Sequence, residues 1–301
     1  MSILIVGGGG RVGREAALAL TSRGFEVGVL LRGGREHPRA AELAGAGVKI
    51  VDGDLRKAES LRPAVKGVET VICSATSMPS GANDGLRRVD HEGTLALIQA
   101  AEKAGVKNFV YVSYSGKIRF DSLLEIAKRD CEDRLIRSKM QTVILRPSFF
   151  MEVWLSSMLG FDPANGSVRV YGPGNAKVSY ISASNVADFV VAALTRLTGE
   201  KSTILELGGP EALSQREAVR IFGDSFGKDL KIEDVPVDAI RAQHKSFDPV
   251  ARTFGALMLA YANGDEISNA LETARKYEVQ LRTVGEYAAS VAAQKSVTAH
   301  L

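Results

Sequence analysis

Short apolar runs rich in valine and isoleucine alternate with longer helical patterns along the first half of the chain. Because strands that alternate with helical stretches build βαβ units, this pattern predicts an α/β fold with a doubly wound parallel sheet. The runs place strands at residues 3–6, 26–31, 48–51, 70–73, 108–112 and 142–145. Between the fourth and fifth strands, spacings of three and four predict one buried helix face, formed by Leu86, Val89, Gly93, Leu97 and Ala101. A glycine in mid-helix costs about 1 kcal/mol against alanine, so Gly93 indicates close approach to the sheet.

The first strand runs directly into four glycines that lead into a helix. Gly7, Gly10 and Gly13, with Arg11 and Val12, occupy this turn. Glycines let the backbone bend sharply and approach a pyrophosphate at the helix N-terminus, which any Cβ would obstruct. Two spacings fit, G-x-G-x-x-G and G-x-x-G-x-x-G, and a flexible loop is the alternative. In this strand-to-helix context the pattern favours a dinucleotide-binding site formed by these five residues.

The alternation fades in the middle of the chain and then returns. Ser184 is expected to cap a helix that ends at Leu197, and residues 203–207 predict another strand. Ser214 and Glu217 fit a capping box that begins the next helix, after which the pattern is mostly helical. We therefore expect a Rossmann domain from residues 1–148 and 180–209, and a smaller, mostly helical substrate-binding lobe from residues 149–179 and 210–301.

The residue after the second strand predicts which dinucleotide binds. In this fold an acidic residue there binds the free ribose 2′-hydroxyl, but the position is Arg32, and Arg35 follows it. Both guanidinium groups suit a 2′-phosphate, which favours NADP(H) over NAD(H). The alternative is that Arg32 ends the strand as an ordinary surface residue. Residues after the third and fourth strands are expected to flank the adenine and the middle of the cofactor: Asp54 and Leu55, then Ala75 and Thr76.

Length and charge limit the function classes. A chain of 301 residues with 45% apolar content can form one Rossmann unit with an appended lobe. Its net charge of +3 is too small to predict a nucleic-acid or membrane partner. Residues 1–66 carry 11 basic and seven acidic side chains. This local excess suits an anionic ligand, although a solvated surface also explains it.

Cysteine and histidine positions predict neither a disulfide nor a metal site. Cys73 and Cys131 are expected to be reduced, buried thiols. The first strand begins at residue 3, and no apolar stretch is long enough to span a bilayer, so we expect a cytoplasmic protein. No ligand spacing relates the four histidines, which are His37, His91, His244 and His300.

Several further motifs are spread over most of the chain. With the glycine turn and Arg32, they are VDHEGT at 89–94, NFVYVS at 108–113, LRPSFFME at 145–152, YISASNVAD at 180–188 and LELGG at 205–209. Together they resemble the atypical short-chain dehydrogenase/reductases of the NmrA-like and isoflavone-reductase-like type. The match to the C-terminal helices is weaker. The resemblance implies NADP(H) as cofactor, in a family divided between NADPH-dependent reductases and cofactor-sensing proteins without turnover.

The resemblance also identifies candidate residues at the reacting end. In the wider superfamily the fifth strand ends in a serine, and a Y-x-x-x-K helix follows. Ser113 and Lys128 match the serine and the lysine, but Leu124 stands in place of the tyrosine. Lys128 is expected to hold the nicotinamide ribose and to offer a proton or positive charge, with a solvated helix lysine as the alternative. Leucine cannot protonate the alkoxide formed from a simple ketone, whereas a quinone or conjugated acceptor forms a delocalised, less basic oxyanion.

Aromatic residues supply the expected substrate contacts. Tyr114 is a candidate replacement acid, although strand alternation directs it to the opposite face from Ser113. Tyr180 is a second candidate, and burial for packing is the alternative. The residues after the sixth strand are expected to cover the nicotinamide end, with a role in the core of the smaller lobe as the alternative: Phe149, Phe150, Met151 and Trp154. Pro147 and Phe149 are also expected to contact the cofactor.

These features favour an NADPH-dependent reductase that transfers hydride to a quinone or another conjugated, apolar small molecule, as a monomer or homodimer. The rival hypothesis is a non-catalytic NADP(H)-sensing protein that acts through a protein partner, which would explain Leu124 directly. An epimerase or dehydratase that holds its cofactor permanently fits less well, because those reactions also depend on the missing tyrosine.

Overall fold

The computed structural model describes residues 1–78, 84–119, 121–196 and 199–298, and the chain forms two units. The first comprises Met1–Tyr114, Asp121–Arg146 and Val186–Leu205, and the second comprises Ser115–Phe120, Pro147–Asn185 and Glu206–Leu301.

Twelve strands occur in the described part of the chain, and seven of them build the central sheet. They are β1 (Ser2–Val6), β2 (Glu26–Leu31), β3 (Lys49–Asp52), β4 (Thr70–Cys73), β5 (Asn108–Val112), β6 (Gln141–Pro147), β7 (Phe161–Asp162), β8 (Ser167–Tyr171), β9 (Lys177–Val178), β10 (Ser202–Leu207), β11 (Leu213–Ser214) and β12 (Lys231–Val235). The central sheet has the order β10-β6-β5-β4-β1-β2-β3. The predicted doubly wound α/β fold is confirmed.

The sheet is parallel, and its order reverses direction beside β1. Val6 pairs with Leu30 of β2 on one side and with Cys73 of β4 on the other. β6 and β10 also run parallel. The N–H of Thr142 donates to the oxygen of Lys201, and further along both strands the N–H of Ser148 donates to the oxygen of Leu207. In sheets of this kind the ligand binds outside the carboxyl ends of the strands, at the reversal point.

Twelve α-helices surround or follow these strands in the described residues. They are α1 (Arg11–Ser22), α2 (Ala40–Gly45), α3 (Ala58–Ala64), α4 (Glu92–Ala104), α5 (Leu123–Ile136), α6 (Met151–Trp154), α7 (Ala183–Thr195), α8 (Gln215–Phe226), α9 (Val237–His244), α10 (Pro249–Asn263), α11 (Ala270–Tyr277) and α12 (Val284–Thr298).

The predicted long helix between β4 and β5 consists of a π-helical segment, Leu86–His91, followed by α4. Leu97 and Ala101 are fully buried, as its spacing predicts. A Cβ on Gly93 would lie 2.5 Å from the backbone oxygen of Leu55, so only glycine allows this close approach. The backbone that Gly93 meets follows β3, so the contact lies just beyond the strand end rather than on the sheet itself.

The second unit contains the small sheets β12-β8-β7 and β11-β9 and most of the later helices. The predicted capping box at the start of α8 is confirmed, because the Ser214 hydroxyl accepts from the N–H of Glu217 and the Glu217 carboxylate accepts from the N–H of Ser214. A hydrogen bond from Lys177, together with these cap contacts, lowers the pKa of Glu217 to about 2.

The prediction that Ser184 caps α7 is wrong. The helix begins at Ala183, before Ser184, and the Ser182 hydroxyl accepts a hydrogen bond of 3.1 Å from the N–H of Asn185. Serines at 182 and 184 carry the same cap chemistry, so sequence alone did not decide between them. The predicted end of this helix at Leu197 lies outside the described residues.

Among the described residues, no helix combines the length and apolar character needed to cross a bilayer. The same residues contain no group of three or more His, Cys, Asp or Glu side chains placed to hold a metal ion.

Candidate functional site

The glycine turn forms a tight bend between β1 and α1. Gly7 has a φ of +96°, and its carbonyl accepts a hydrogen bond of 3.0 Å from the N–H of Gly10. α1 then begins at Arg11 without a side-chain cap and without an acidic residue in its first turn. The N–H groups at its start, including those of Arg11, Val12 and Gly13, have no partner within the helix. They are therefore available to an anion, which the helix dipole also favours.

Three glycines of this turn are required by its packing. A Cβ on Gly7 would lie 2.5 Å from the backbone nitrogen of Ala75, and one on Gly13 would lie 2.6 Å from the oxygen of Gly7. A Cβ on Gly8 would lie 2.3 Å from a methyl group of Val29. Gly7 thus lies against the backbone that follows β4, Gly8 against a side chain of β2, and Gly13 against the backbone of the turn itself. The predicted Ala75 therefore lies directly beside the predicted Gly7, at the reversal point of the sheet.

Three arginines near the turn carry exposed guanidinium groups. Arg32 directly follows β2, Arg35 lies three residues further, and Arg11 begins α1. In the part of the chain that the structure describes, none of the three forms a hydrogen bond or ion pair. By contrast, Arg14 and Arg39 both pair with Glu42. No carboxylate among the described residues therefore neutralises the three predicted phosphate-binding arginines.

The sequence did not indicate that His37 lies beside the glycine turn, because a histidine shows a pattern in sequence only through metal-ligand spacing. A Cβ on Gly9 would lie 3.0 Å from Cε1 and 3.1 Å from Nε2 of the His37 ring, so the imidazole packs against the glycine turn. Its Nδ1 accepts a hydrogen bond of 3.1 Å from the N–H of Arg39. A neutral imidazole that accepts at Nδ1 carries its proton on Nε2, which places a hydrogen-bond donor beside the turn.

The other predicted cofactor contacts near β3 and β4 have mainly structural partners. Asp54 accepts a hydrogen bond of 2.9 Å from the N–H of Arg56 through its Oδ1. The side chain of Leu55 belongs to the buried core. The hydroxyl of Thr76 accepts a hydrogen bond of 3.2 Å from the N–H of Met78. Contact between these residues and a nucleotide stays a prediction.

The candidate reacting end lies after β5, in the same unit as the glycine turn. Lys128 of α5 is only 5% exposed, so it is not the solvated lysine of the alternative. Its Nζ donates a hydrogen bond of 3.2 Å to the oxygen of Val112 and lies 4.9 Å from the centre of the Tyr111 ring. The hydroxyl of Ser113 is buried and has no hydrogen-bond partner of ordinary geometry among the described residues. Leu124 is buried as well, one helical turn before Lys128.

The Tyr114 ring packs against an arginine. The guanidinium carbon of Arg129 lies 4.4 Å from the ring centre. Arg129 belongs to α5 and so reaches the end of β5 beside Lys128. Whether Tyr114 also contacts a substrate stays a prediction.

Three of the aromatic residues predicted for substrate binding, Phe149, Trp154 and Tyr180, form a buried cluster with Tyr261 in the second unit. The Phe149 ring lies 4.6 Å from Trp154 and 5.1 Å from Tyr261, centre to centre. The Tyr180 hydroxyl lies 2.5 Å from the hydroxyl of Tyr261, and burial raises the pKa of both phenols. Both are therefore neutral at physiological pH. Phe150 is half-buried at the start of α6 and forms a backbone bridge to Ile181, and Pro147, the last residue of β6, is buried.

Asp265 is a second residue that sequence reasoning missed. It is 2% exposed, and its Oδ1 accepts a hydrogen bond of 2.8 Å from the Ser115 hydroxyl. Its Oδ2 is buried without a partner among the described residues. Burial raises the pKa of this carboxyl group. Because the surrounding sequence NGDE reads as an ordinary loop, no local signal marked this position.

Comparison with known proteins gives the same family as the motifs. The NmrA-like family profile matches residues 1–288. A photosystem II assembly factor of Trieres chinensis is 29% identical over 248 residues, which cover 82% of this chain and 76% of the relative. An NAD(P)H azoreductase of Xenophilus azovorans is 27% identical over 297 residues, with 97% and 98% covered.

A second reductase and a crystal structure are also similar to this chain. The (4-alkanoyl-5-oxo-2,5-dihydrofuran-3-yl)methyl phosphate reductase of Streptomyces griseus is 32% identical over 256 residues, covering 84% of each chain. The crystal structure of an NADPH-dependent quinone oxidoreductase from Escherichia coli superposes with a TM-score of 0.76 at 19% identity, covering 96% of this chain and 99% of the other. At that identity the superposition supports the fold.

Proposed function

The chain belongs to the NmrA-like family, and from that premise we propose that it is an NADPH-dependent reductase that transfers hydride to a quinone or another conjugated, apolar acceptor. One observation carries the proposal. A glycine turn that leads into a helix without a side-chain cap, together with three exposed arginines that form no ion pair among the described residues, lies in the same unit as a buried lysine at the end of β5.

The nucleotide-binding part of the proposal rests on complementary charge. The free N–H groups at the start of α1 would bind the pyrophosphate. Arg32 and Arg35 would bind the adenosine 2′-phosphate as planar, permanently charged donors. His37 adds a hydrogen-bond donor, its Nε2, beside Gly9. Bound NADPH supplies the hydride.

The nature of the acceptor follows from the residues after β5. Leu124 leaves the helix without an acid one turn before Lys128, so an acceptor that needs strong protonation is disfavoured. A quinone or a conjugated carbonyl spreads the negative charge it gains over several atoms. The ammonium group of Lys128 and the hydroxyl of Ser113 can stabilise such a charge by hydrogen bonding and attraction. Among the relatives, the azoreductase and the dihydrofuran phosphate reductase are named for conjugated substrates.

The proposal is tested by NADPH oxidation at steady state. We expect turnover with quinones and with azo or conjugated carbonyl compounds, and at least a hundredfold lower kcat/KM with a simple aliphatic ketone. NADH in place of NADPH should raise the KM for the nucleotide. Tight NADPH binding without turnover on any acceptor class would refute the reductase function.

Replacement of Lys128 distinguishes its two predicted roles. If the ammonium group takes part in the chemical step, Lys128→Ala should lower kcat by more than it weakens NADPH binding. An equal loss in both would leave Lys128 as a clamp for the nicotinamide ribose. Lys103, an exposed lysine on α4, provides a control, and Lys103→Ala should change neither quantity.

The second candidate function is a non-catalytic protein whose NADP(H) occupancy governs a protein partner. Leu124 favours it, as does the similarity to a photosystem II assembly factor. Under this function, NADPH binds but is not oxidised, and binding changes the protein's affinity for its partner. The same oxidation assay therefore decides between the two candidates.

A further inference from the structure

Two adjacent cations of α5 bind two alternate carbonyl groups at the end of β5. Lys128 donates to the oxygen of Val112 at 3.2 Å, and Arg129 donates through both terminal nitrogens to the oxygen of Tyr114, each at 3.3 Å. Ser113 lies between these two carbonyls. Its own N–H donates a hydrogen bond of 2.8 Å to the oxygen of Leu145 in β6. The backbone around Ser113 is therefore fixed from the helix and from the neighbouring strand.

Arg129 is itself held by further contacts. Its guanidinium group packs on the Tyr114 ring, and its Nη1 donates to Oε1 of Glu132 at 2.6 Å. Glu132 lies one helical turn along α5 and also accepts from Arg146 of β6, at 3.2 Å from Nε and 2.5 Å from Nη2. One carboxylate thus joins two arginines from two elements.

The charge state of this group is defined by its surroundings. The Glu132 side chain is 2% exposed, and the two arginine side chains are 14% and 17% exposed. Burial alone would raise the pKa of Glu132, but hydrogen bonding from Arg146 and the positive charges of Arg129 and Arg146 lower it. Glu132 is therefore ionised at neutral pH. A buried carboxylate with two fixed partners gives Arg129 little freedom to turn away from Tyr114.

We infer that Arg129, anchored by Glu132, is a positioning residue for the proposed reductase reaction. It holds the Ser113–Tyr114 backbone in the conformation that presents the Ser113 hydroxyl to the acceptor. This inference rests on the proposed function. It assigns Arg129 no contact with the reacting atoms.

The test replaces the guanidinium group of Arg129 with an ammonium group, which keeps the positive charge. Arg129→Lys loses the two-pronged bond to Tyr114 and the planar stack on its ring. We expect kcat with a quinone to fall about tenfold, while the dissociation constant of NADPH stays within twofold. Glu132→Gln should lower kcat in the same direction, because it removes the charge that anchors Arg129. Arg134→Lys is the matched control, since Arg134 lies on the same helix and pairs with Glu102 elsewhere; its kcat should not change.

A second measurement follows the backbone directly. Hydrogen–deuterium exchange of a peptide covering residues 109–119 should become faster in Arg129→Lys and stay unchanged in Arg134→Lys. A purely structural role would instead lower the fraction of protein that binds NADPH and leave kcat per bound site unchanged, and this result would refute the inference.

The possible failures are distinguishable. If the wild-type protein oxidises NADPH and Arg129→Lys keeps its kcat within twofold, the positioning role is wrong and the proposed function stands. If exchange in residues 109–119 is unaffected by Arg129→Lys, Arg129 does not hold the backbone at the end of β5, and the inference is wrong. If the wild-type protein turns over no acceptor, the proposed function fails and the positioning role of Arg129 fails with it.

Discussion

Arg32→Asp is the sharpest test of the nucleotide assignment. In the structure Arg32 follows β2, is exposed, and has no ion-pair partner in the described part of the chain. Its replacement therefore breaks no hydrogen bond or ion pair among the described residues. The change places a carboxylate where the proposed 2′-phosphate binds. Arg32→Ala provides an intermediate step, because it removes the positive charge without adding a negative one.

The expected size of the effect follows from the exposure of this site. In water, two unit charges about 4 Å apart interact with about 1 kcal/mol, and physiological salt reduces this to roughly 0.6 kcal/mol. A phosphate monoester carries a charge of about −2 at neutral pH. Removing one positive charge should therefore cost about 1.2 kcal/mol, and reversing it about 2.4 kcal/mol. These values correspond to a rise in the NADPH dissociation constant of about eightfold for alanine and about sixtyfold for aspartate.

Fluorescence titration with NADPH and with NADH measures both constants. The NADH constant should stay within threefold in both variants, because NADH lacks the 2′-phosphate. Arg23→Asp is the control: Arg23 is exposed and follows the opposite end of α1, about 18 Å from its start. An unchanged ratio of NADPH to NADH affinity in Arg32→Asp would refute the assignment. An equal change in Arg23→Asp would attribute the effect to net charge rather than to the site.

Three further predictions concern the turn, the thiols and the capping box. Gly13→Ala should weaken NADPH binding and lower the melting temperature, because the new Cβ would lie 2.6 Å from the backbone oxygen of Gly7. In Gly10→Ala the same distance is 3.3 Å, so both losses should be smaller. Equal losses in the two variants would contradict this explanation. Cys73 and Cys131 should react with a thiol reagent only after denaturation, because burial raises the pKa of both, that of Cys131 to about 12; a fast-reacting thiol in the native protein would show otherwise. The folded-state pKa of Glu217 is lowered from 4.5 to about 2, so its stabilisation is present above pH 4.5 and lost as pH falls towards 2. Glu217→Gln should therefore lower the melting temperature at pH 7 and reduce the difference in melting temperature between pH 7 and pH 3. If that difference is unchanged, the Glu217 carboxylate does not contribute to the pH dependence of stability.

Much of the fold was predictable because it depends on local patterns. The strand at residues 26–31 and those at 70–73 and 108–112 have the predicted bounds, since continuous apolar runs are typical of strands buried on both faces. The capping box at Ser214 was predictable for the same reason, because it involves only four consecutive residues. The cap of α7 was not, since two serines two positions apart compete for one role.

The candidate site was only partly predictable, because its decisive contacts join distant segments. The glycine turn was predictable because it lies between β1 and α1, and Arg32 was predictable because it directly follows β2. The burial of Lys128 depends on how α5 packs on the end of β5, which spacing along the helix does not reveal. The bond between Ser115 and Asp265 joins residues 150 positions apart. Its partners could be identified only in the folded chain.

The three unpaired arginines around the glycine turn have a consequence for the speed of binding. Because no carboxylate neutralises Arg11, Arg32 or Arg35 in the described residues, a positive potential extends from the turn into the solvent. An anionic nucleotide is attracted before it makes any contact. The association rate of NADPH should therefore fall as ionic strength rises, as is typical of electrostatically steered encounters. The residues proposed to give this site its nucleotide preference would thus also determine how quickly the nucleotide is captured.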